Sequence, residues 1–181
     1  MRMTGANLTH RGLAALALAT LFATVAQAED PCAAFTWDVS HERGLSAAAV
    51  ERLGAARLPS AAPALALDKV YELRLFEQSQ VTFALPPAKK PSSDAAYAGL
   101  ARLTLNDAGV YRLSLDRAAW VDVIANGAAI PSQDSQGRPG CDAPHKIVEF
   151  VLPAGTALTL QFSASAAATL RIGVTRSPRR L

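Results

Sequence analysis

Residues 108–127 read AGVYRLSLDRAAWVDVIANG, and this stretch decides the fold class. In its first half, Tyr111, Leu113 and Leu115 share one parity, and the residues between them are polar. The second half, WVDVIA, alternates in the same way and ends at Asn126-Gly127, a strong turn dipeptide for a β-hairpin. Alternation with a period of two places apolar side chains on one face of a strand. The stretch therefore predicts two half-buried strands.

The same pattern recurs on both sides of this stretch. Further strands are predicted in VYELRLF, VTFAL, LARLTL, HKIVEFVL, TALTLQFS and TLRIGVT, with turn-forming residues between them. About eight short strands at this spacing favour an all-β fold over a parallel α/β sheet. We predict an antiparallel, jelly-roll-like β-sandwich over residues 68–181.

The segment before the sandwich has a different character. The only helical spacing of apolar residues lies in LSAAAVERLGAARL (Leu45–Leu58), which is followed by Pro59. This pattern predicts one short N-terminal helix. The sequence PSAAPALAL (59–67) then predicts a Pro/Ala linker. Residues 29–67 are therefore expected to form an N-terminal segment ahead of the sandwich domain.

The first 28 residues have the pattern of a signal peptide. Arg2 and Arg11 provide positive charge, GLAALALATLFA (12–23) is apolar, and Ala26-Gln27-Ala28 fits the small-x-small cleavage rule. We predict cleavage after Ala28 and a periplasmic or secreted protein. The apolar run is shorter than the roughly 20 residues of a transmembrane helix, and no longer run follows.

Removal of the signal also changes the charge balance. The 18 basic residues fall to 16, whereas all 15 acidic residues remain. Nucleic-acid binding requires a clustered basic face interleaved with aromatic residues, which this sequence lacks. We expect no nucleic-acid partner.

Two cysteines, Cys32 and Cys141, follow the signal peptide. An even number of cysteines in an oxidising compartment favours a disulfide. A bridge that closes a loop of about a hundred residues contributes roughly 4–5 kcal/mol in the chain-entropy model. We predict that this bridge ties the new N-terminus to the loop before HKIVEF.

Residues 97–176 carry a family resemblance. The run AGVYRLSLDRAAWVDVIANG, a polar loop, and then KIVEFVLPAGTALTLQFSASAAATLRIGVT resemble the jelly-roll-like modules at the C-termini of secreted bacterial peptidases. The resemblance implies an accessory or binding module and carries no catalytic residues. The predicted disulfide and N-terminal helix depart from that pattern.

A second resemblance points to an enzyme. The elements WDVS, YAGLARL and CDAPHKIVEF are similar to those of small secreted bacterial proteins, some of which carry a homogentisate 1,2-dioxygenase label. A non-haem iron site of that kind uses two histidines and a carboxylate. His41, His145 and Glu149 are the candidate ligands. On one extended strand, however, His145 and Glu149 would lie about 13 Å apart. We treat iron as an alternative and expect no cofactor.

The best candidate for a binding site is the stretch NGAAIPSQDSQGRPGCDAP (126–144), which has 19 residues and no strong strand signal. Polar side chains suited to a glycan, peptidoglycan or protein partner lie on it or beside it: Gln133, Asp134, Gln136, Arg138 and His145. Trp120 has the opposite parity from its apolar neighbours. It is either an outward stacking platform or a structural side chain packed in a second layer, and the second interpretation is favoured.

No nucleophile elbow or glycine-rich phosphate loop is present. We therefore predict a secreted, non-catalytic binding module for a cell-envelope ligand or a protein partner. The alternatives are an iron-dependent dioxygenase and a structural envelope protein.

Overall fold

The structure is a computed structural model that describes residues 30–91, 93 and 95–178. The predicted signal peptide and its cleavage site lie outside the described residues. Within the described ranges, no helix is both long enough and apolar enough to cross a membrane.

The described residues form two packed β-sheets, which confirms the predicted all-β sandwich. The strands are β1 (Glu51–Gly54), β2 (Ala64–Leu65), β3 (Val70–Arg74), β4 (Phe76–Glu77), β5 (Tyr97–Leu103), β6 (Gly109–Leu115), β7 (Trp120–Ala125), β8 (Ala128–Ile130), β9 (Ser132–Gly137), β10 (Lys146–Leu152), β11 (Leu158–Ser165) and β12 (Thr169–Arg176). The first sheet has the strand order β1-β3-β12-β6-β10-β9, and the second has the order β2-β5-β11-β7-β8, with β4 also paired to β5.

The main core lies between the two sheets and follows the predicted alternation. Leu113 from β6, Phe150 from β10 and Phe162 from β11 are at most 2% exposed and belong to one continuous apolar cluster. Burying each such side chain stabilises the fold by roughly 1.5–3 kcal/mol. The period-two pattern therefore identified the inward faces of the central strands correctly.

The N-terminal helix exists, but its predicted position was wrong. The helix α1 spans Ser40–Ser46, and short 3-10 turns cover Pro31–Ala34, Pro59–Ala61 and Gln78–Gln80. Residues 51–54, which we predicted to be helical, form β1 and pair in parallel with β3. An isolated helix of this length is marginal in water. Pairing with a sheet edge satisfies the same backbone groups and also packs Leu53 against the core.

Two other segments also differ from the prediction. Part of the predicted linker forms β2, which pairs in parallel with β5, so not all strand pairs are antiparallel. Residues 81–85, predicted as a strand, have no strand conformation. The backbone amides of Ala84 and Leu85 instead donate to the side chain of Gln161, at 2.6 and 3.1 Å. The carbonyl oxygen of Arg57 also accepts from the amide of Thr82 at 2.9 Å, so Arg57 and the Gln161 side chain on β11 together satisfy backbone groups of this segment.

The predicted loop at 126–144 contains two strands. Asn126 and Gly127 both have positive φ, 50° and 77°, and make the tight turn between β7 and β8. After Pro131 the chain passes to the other sheet, where β9 pairs with β10. All of β9 except Gln136 is exposed, and its composition is polar. Such a polar edge strand lacks the alternation that marks a half-buried strand, and for this reason the pattern missed it.

The predicted disulfide is present. Cys32 and Cys141 are bonded, with Cα atoms 5.0 Å apart and a sequence separation of 109. The bridge fixes the first described residues beside the segment that leads from β9 to β10.

Candidate functional site

A cleft opens at one end of the sandwich, where the chain passes from β6 in one sheet to β7 in the other. The connection contributes Ala118 and Ala119, and the ends of β9 and β10 form the opposite side. The cavity measures about 350 Å³. Six side chains give it its chemical character: Lys89, Lys90, Trp120, Gln136, His145 and Lys146.

Trp120 is half-buried and is held by a hydrogen bond. Its indole Nε1 donates to Asp122 Oδ1 at 2.8 Å. The other oxygen of Asp122 accepts from the backbone amide of Ala88 at 3.3 Å. The same carboxylate therefore orients the indole and fastens the segment that carries Lys89 and Lys90 over the outer face of β7.

Two lysine ammonium groups lie close to the indole ring. Lys146 Nζ is 5.0 Å from the ring centroid of Trp120, and Lys89 Nζ is 5.8 Å from it. Both distances fall within the range of a cation–π contact. Lys146 Nζ also donates to the carbonyl oxygen of Ala119 at 3.4 Å. The cleft thus combines an aromatic surface with concentrated positive charge.

The environment of Lys146 disfavours its charge. Burial lowers the pKa of Lys146, and the nearby ammonium of Lys89 lowers it further. Among residues 30–91, 93 and 95–178, no carboxylate lies within 4.0 Å of Lys89, Lys90 or Lys146. A half-buried ammonium that contacts no carboxylate among these residues is more typical of a binding site than of a structural role.

The structure brings three of the six predicted ligand residues into this cleft: Trp120, Gln136 and His145. The side-chain amide of Gln136 is already engaged, since Gln136 Oε1 accepts from the backbone amide of Thr36 at 3.0 Å. Its Nε2 donates to the hydroxyl of the same threonine. Gln136 therefore ties β9 to the N-terminal segment.

The remaining three lie elsewhere. Arg138 donates to the carbonyl oxygen of Ala34, and its guanidinium lies 5.4 Å from the ring centroid of Phe35. This arginine also holds the N-terminal segment. Gln133 and Asp134 are exposed on β9, and Asp134 Oδ1 accepts from the amide of Ser135 at 2.8 Å.

The three candidate iron ligands occupy different environments. His41 Nε2 lies 2.8 Å from Asp68 Oδ1 on the surface, whereas His145 lines the cleft. Glu149 is 1% exposed and pairs with Arg112 at 2.9 Å. In the part of the chain that the structure describes, no group of three or more His, Cys, Asp or Glu side chains is arranged to hold a metal ion.

Glu149 belongs to a buried ionic cluster that we define as Arg112, Glu42 and Glu149. Arg112 donates from Nε to Glu149 Oε1 and from Nη1 to Glu42 Oε1, at 2.9 and 3.3 Å. Its Nη1 also donates to the carbonyl oxygen of Asp38 at 2.7 Å. Arg112 and Glu149 lie on the outer face of the first sheet, and α1 and residues 37–39 cover them. The alternating pattern placed Arg112 and Glu149 correctly on the face opposite the main core, but it did not indicate that this face is buried as well.

Sequence reasoning missed the lysines of the cleft. From the sequence, no role was assigned to Lys89 or Lys90, and Lys146 was included only as part of the predicted strand HKIVEFVL. The adjacent Lys89-Lys90 pair is a local signal that could have indicated a positively charged site. Its meaning depends on Asp122, which brings that loop onto β7.

The comparisons with known proteins assign no family. No protein-family model and no curated protein matches this chain. Three chains of solved structures match, among them a β-glucosidase from Kluyveromyces marxianus in complex with glucose. That match has 15% identity and a TM-score of 0.31, and it covers 46% of this chain and 10% of the glucosidase. At this TM-score the likeness has no bearing on function.

Proposed function

We propose that this chain is a periplasmic or secreted, non-catalytic binding module, and that the cleft around Trp120 is its ligand site. The signal-peptide pattern of residues 1–28 supports export, as does the Cys32–Cys141 disulfide. The ligand classes we propose are a glycan, peptidoglycan or a protein of the cell envelope.

One observation carries this proposal: a half-buried tryptophan with two ammonium groups within 6 Å of its ring centre. An indole ring offers an apolar surface and a fixed orientation, which suits stacking against a sugar ring or a peptide side chain. The hydrogen bond to Asp122 prevents the ring from turning freely. Ligand pockets are usually lined by apolar and aromatic side chains with a small number of polar groups among them.

Binding of the exported chain, residues 29–181 with its disulfide formed, to purified peptidoglycan sacculi tests the proposal. Sedimentation with the sacculi should be saturable. Trp120→Ala should abolish it, whereas Trp120→Phe should keep part of it because an aromatic ring remains. Thermal unfolding of both variants checks that the sandwich is intact. Equal binding by folded Trp120→Ala would refute the assignment of the site, and no binding to sacculi by the parent protein would exclude peptidoglycan as the ligand.

The iron-dependent alternative has its own measurement. If the chain is a binding module, elemental analysis of protein purified without chelators should find far less than one iron per chain. His145→Ala should leave that value unchanged. Stoichiometric iron that is lost in His145→Ala would favour the dioxygenase instead.

A further inference from the structure

We infer that the cleft selects an anionic sugar, whose carboxylate or phosphate is held between Lys89 and Lys146 while its ring lies against Trp120. This inference rests on the proposed function and adds to it the chemical class of the ligand.

The charge of the cleft is the first argument. Lys89, Lys90 and Lys146 line it, and Asp122 is the nearby acid. Both oxygens of Asp122 already accept hydrogen bonds, from the indole of Trp120 and from the amide of Ala88. The described cleft therefore has an excess of positive charge, and an anionic ligand would neutralise it.

The position of Lys146 is the second argument. Burial opposes its charge and lowers its pKa, and the neighbouring ammonium of Lys89 lowers that pKa further. The Nζ atoms of Lys146 and Lys89 lie 5.0 and 5.8 Å from the same ring centroid, so a bound anion would offset the repulsion between the two ammonium groups. Lysine interacts as a compact point charge with three donors, which suits a single carboxylate or phosphate oxygen.

The indole is the third argument. A simple anion site has no use for an aromatic ring, whereas a sugar presents an apolar face of C–H groups to it. The cavity of about 350 Å³ lies near the lower end of the range for small-ligand pockets. This volume fits one or two sugar rings and is too small to enclose a folded domain.

Two sources provide the same ligand chemistry, a uronic acid and a sugar phosphate. Isothermal titration at pH 7 in 50 mM salt distinguishes them with four probes: trigalacturonic acid, neutral galactotriose, galactose 6-phosphate and inorganic phosphate. We expect one or both of the acidic sugars to bind, and we expect no binding of galactotriose. Inorganic phosphate should bind more weakly than the acidic sugar.

Variants of the cleft provide the second half of the test. Lys146→Met and Lys89→Met should each weaken binding of the acidic sugar about tenfold, since a charge-assisted contact is lost. Lys69→Met is the matched control, because Lys69 is exposed and lies 3.7 Å from Glu51, outside the cleft. It should not change the affinity. Raising the salt to 500 mM should weaken binding of the parent protein and have less effect on Lys146→Met.

The outcomes separate this inference from the proposed function. Equal affinity for galactotriose and trigalacturonic acid would overturn the inference and leave a sugar-binding module in place. Equal affinity for inorganic phosphate and the acidic sugars would also overturn it, because the indole would then contribute nothing. Trp120-dependent binding to sacculi without any effect of Lys146→Met would overturn it too. Failure of sacculi and of all four probes would refute the proposed function itself.

Discussion

Replacement of Arg112 by leucine removes the guanidinium that contacts both Glu42 and Glu149 in the buried ionic cluster. The three side chains are between 1% and 3% exposed, so solvent cannot compensate for the lost charge. The hydroxyls of Thr175 and Ser177 still donate to the two carboxylates, at 2.9 and 2.8 Å. These neutral donors do not replace the positive charge of the guanidinium.

The magnitude follows from the burial of the cluster. Removing one partner of a buried ion pair costs about 3–5 kcal/mol, because an uncompensated charge remains. Two carboxylates lose the same guanidinium here, and Glu42 Oε2 already has no hydrogen-bond partner among the described residues. We expect Arg112→Leu to lower the free energy of unfolding by about 4 kcal/mol. For a domain of this size, the midpoint of thermal unfolding should fall by about 10 °C.

Urea unfolding of the oxidised protein at pH 7 measures this change by linear extrapolation. Tryptophan fluorescence is a suitable probe, since Trp37 packs with its ring centroid 5.0 Å from the guanidinium of Arg112. The matched control is Arg176→Leu. Its ion pair with Asp107 is long, 3.5 Å, and both side chains are more than half exposed. The control should lose less than about 1 kcal/mol.

A triple variant separates charge from packing. If the separation of the two carboxylates from the guanidinium causes the loss, replacing Arg112, Glu42 and Glu149 together by leucine should recover roughly half of it, because the three buried charges are removed together. The hydroxyl of Thr175, which loses its bond to Glu42, accounts for part of the rest. A loss below about 1 kcal/mol for Arg112→Leu, or no recovery in the triple variant, would refute this account of the cluster.

Three further outcomes are expected. Replacing Cys32 and Cys141 by serine should lower the free energy of unfolding by roughly 3–5 kcal/mol, and hydrogen exchange should rise first in residues 30–38; unchanged stability would contradict the anchoring role of the bridge. Gly99→Ala should cost about 1–3 kcal/mol in urea unfolding, because its Cβ would lie 2.5 Å from that of Ala55, whereas Gly54→Ala meets nothing within 4 Å and should be nearly neutral. Lys146→Met should stabilise the protein at pH 7, because burial lowers the pKa of Lys146 and the folded state bears the cost of a half-buried ammonium at any pH below that lowered pKa. The gain in unfolding free energy should fall as the pH rises through the lowered pKa and should vanish above the ordinary value of 10.5. A gain that does not depend on pH would contradict this assignment.

The strands with alternating patterns could be predicted because their two faces have different surroundings. In β6, β10 and β12, apolar residues of one parity enter the main core, and the sequence alone shows this. The same reasoning failed for β1 and β9, which are exposed edge strands with no apolar parity to detect. Their conformation depends on pairing with β3 and β10, which a local pattern does not contain.

The candidate site was predicted only in part for a related reason. Trp120, Gln136 and His145 were candidate ligand residues, although a structural role was favoured for Trp120, and all three line the cleft. Lys89 and Lys146 are separated by 57 positions and lie on different parts of the fold. No rule of sequence spacing connects these lysines to Trp120. They meet because the chain crosses from β6 in one sheet to β7 in the other, and because Asp122 binds the amide of Ala88.

The sequence by itself determined that the chain is an all-β sandwich, which side of each central strand faces inward, and that Cys32 pairs with Cys141. The inward faces follow from short-range alternation, and the pairing of Cys32 with Cys141 follows because two cysteines can form only one intramolecular bridge. Only the tertiary structure decided that the outer face around Arg112 is buried, and that lysines and a tryptophan share one cleft. An alternating pattern records that the two faces of a strand differ, but what covers the outer face depends on segments far away in the chain.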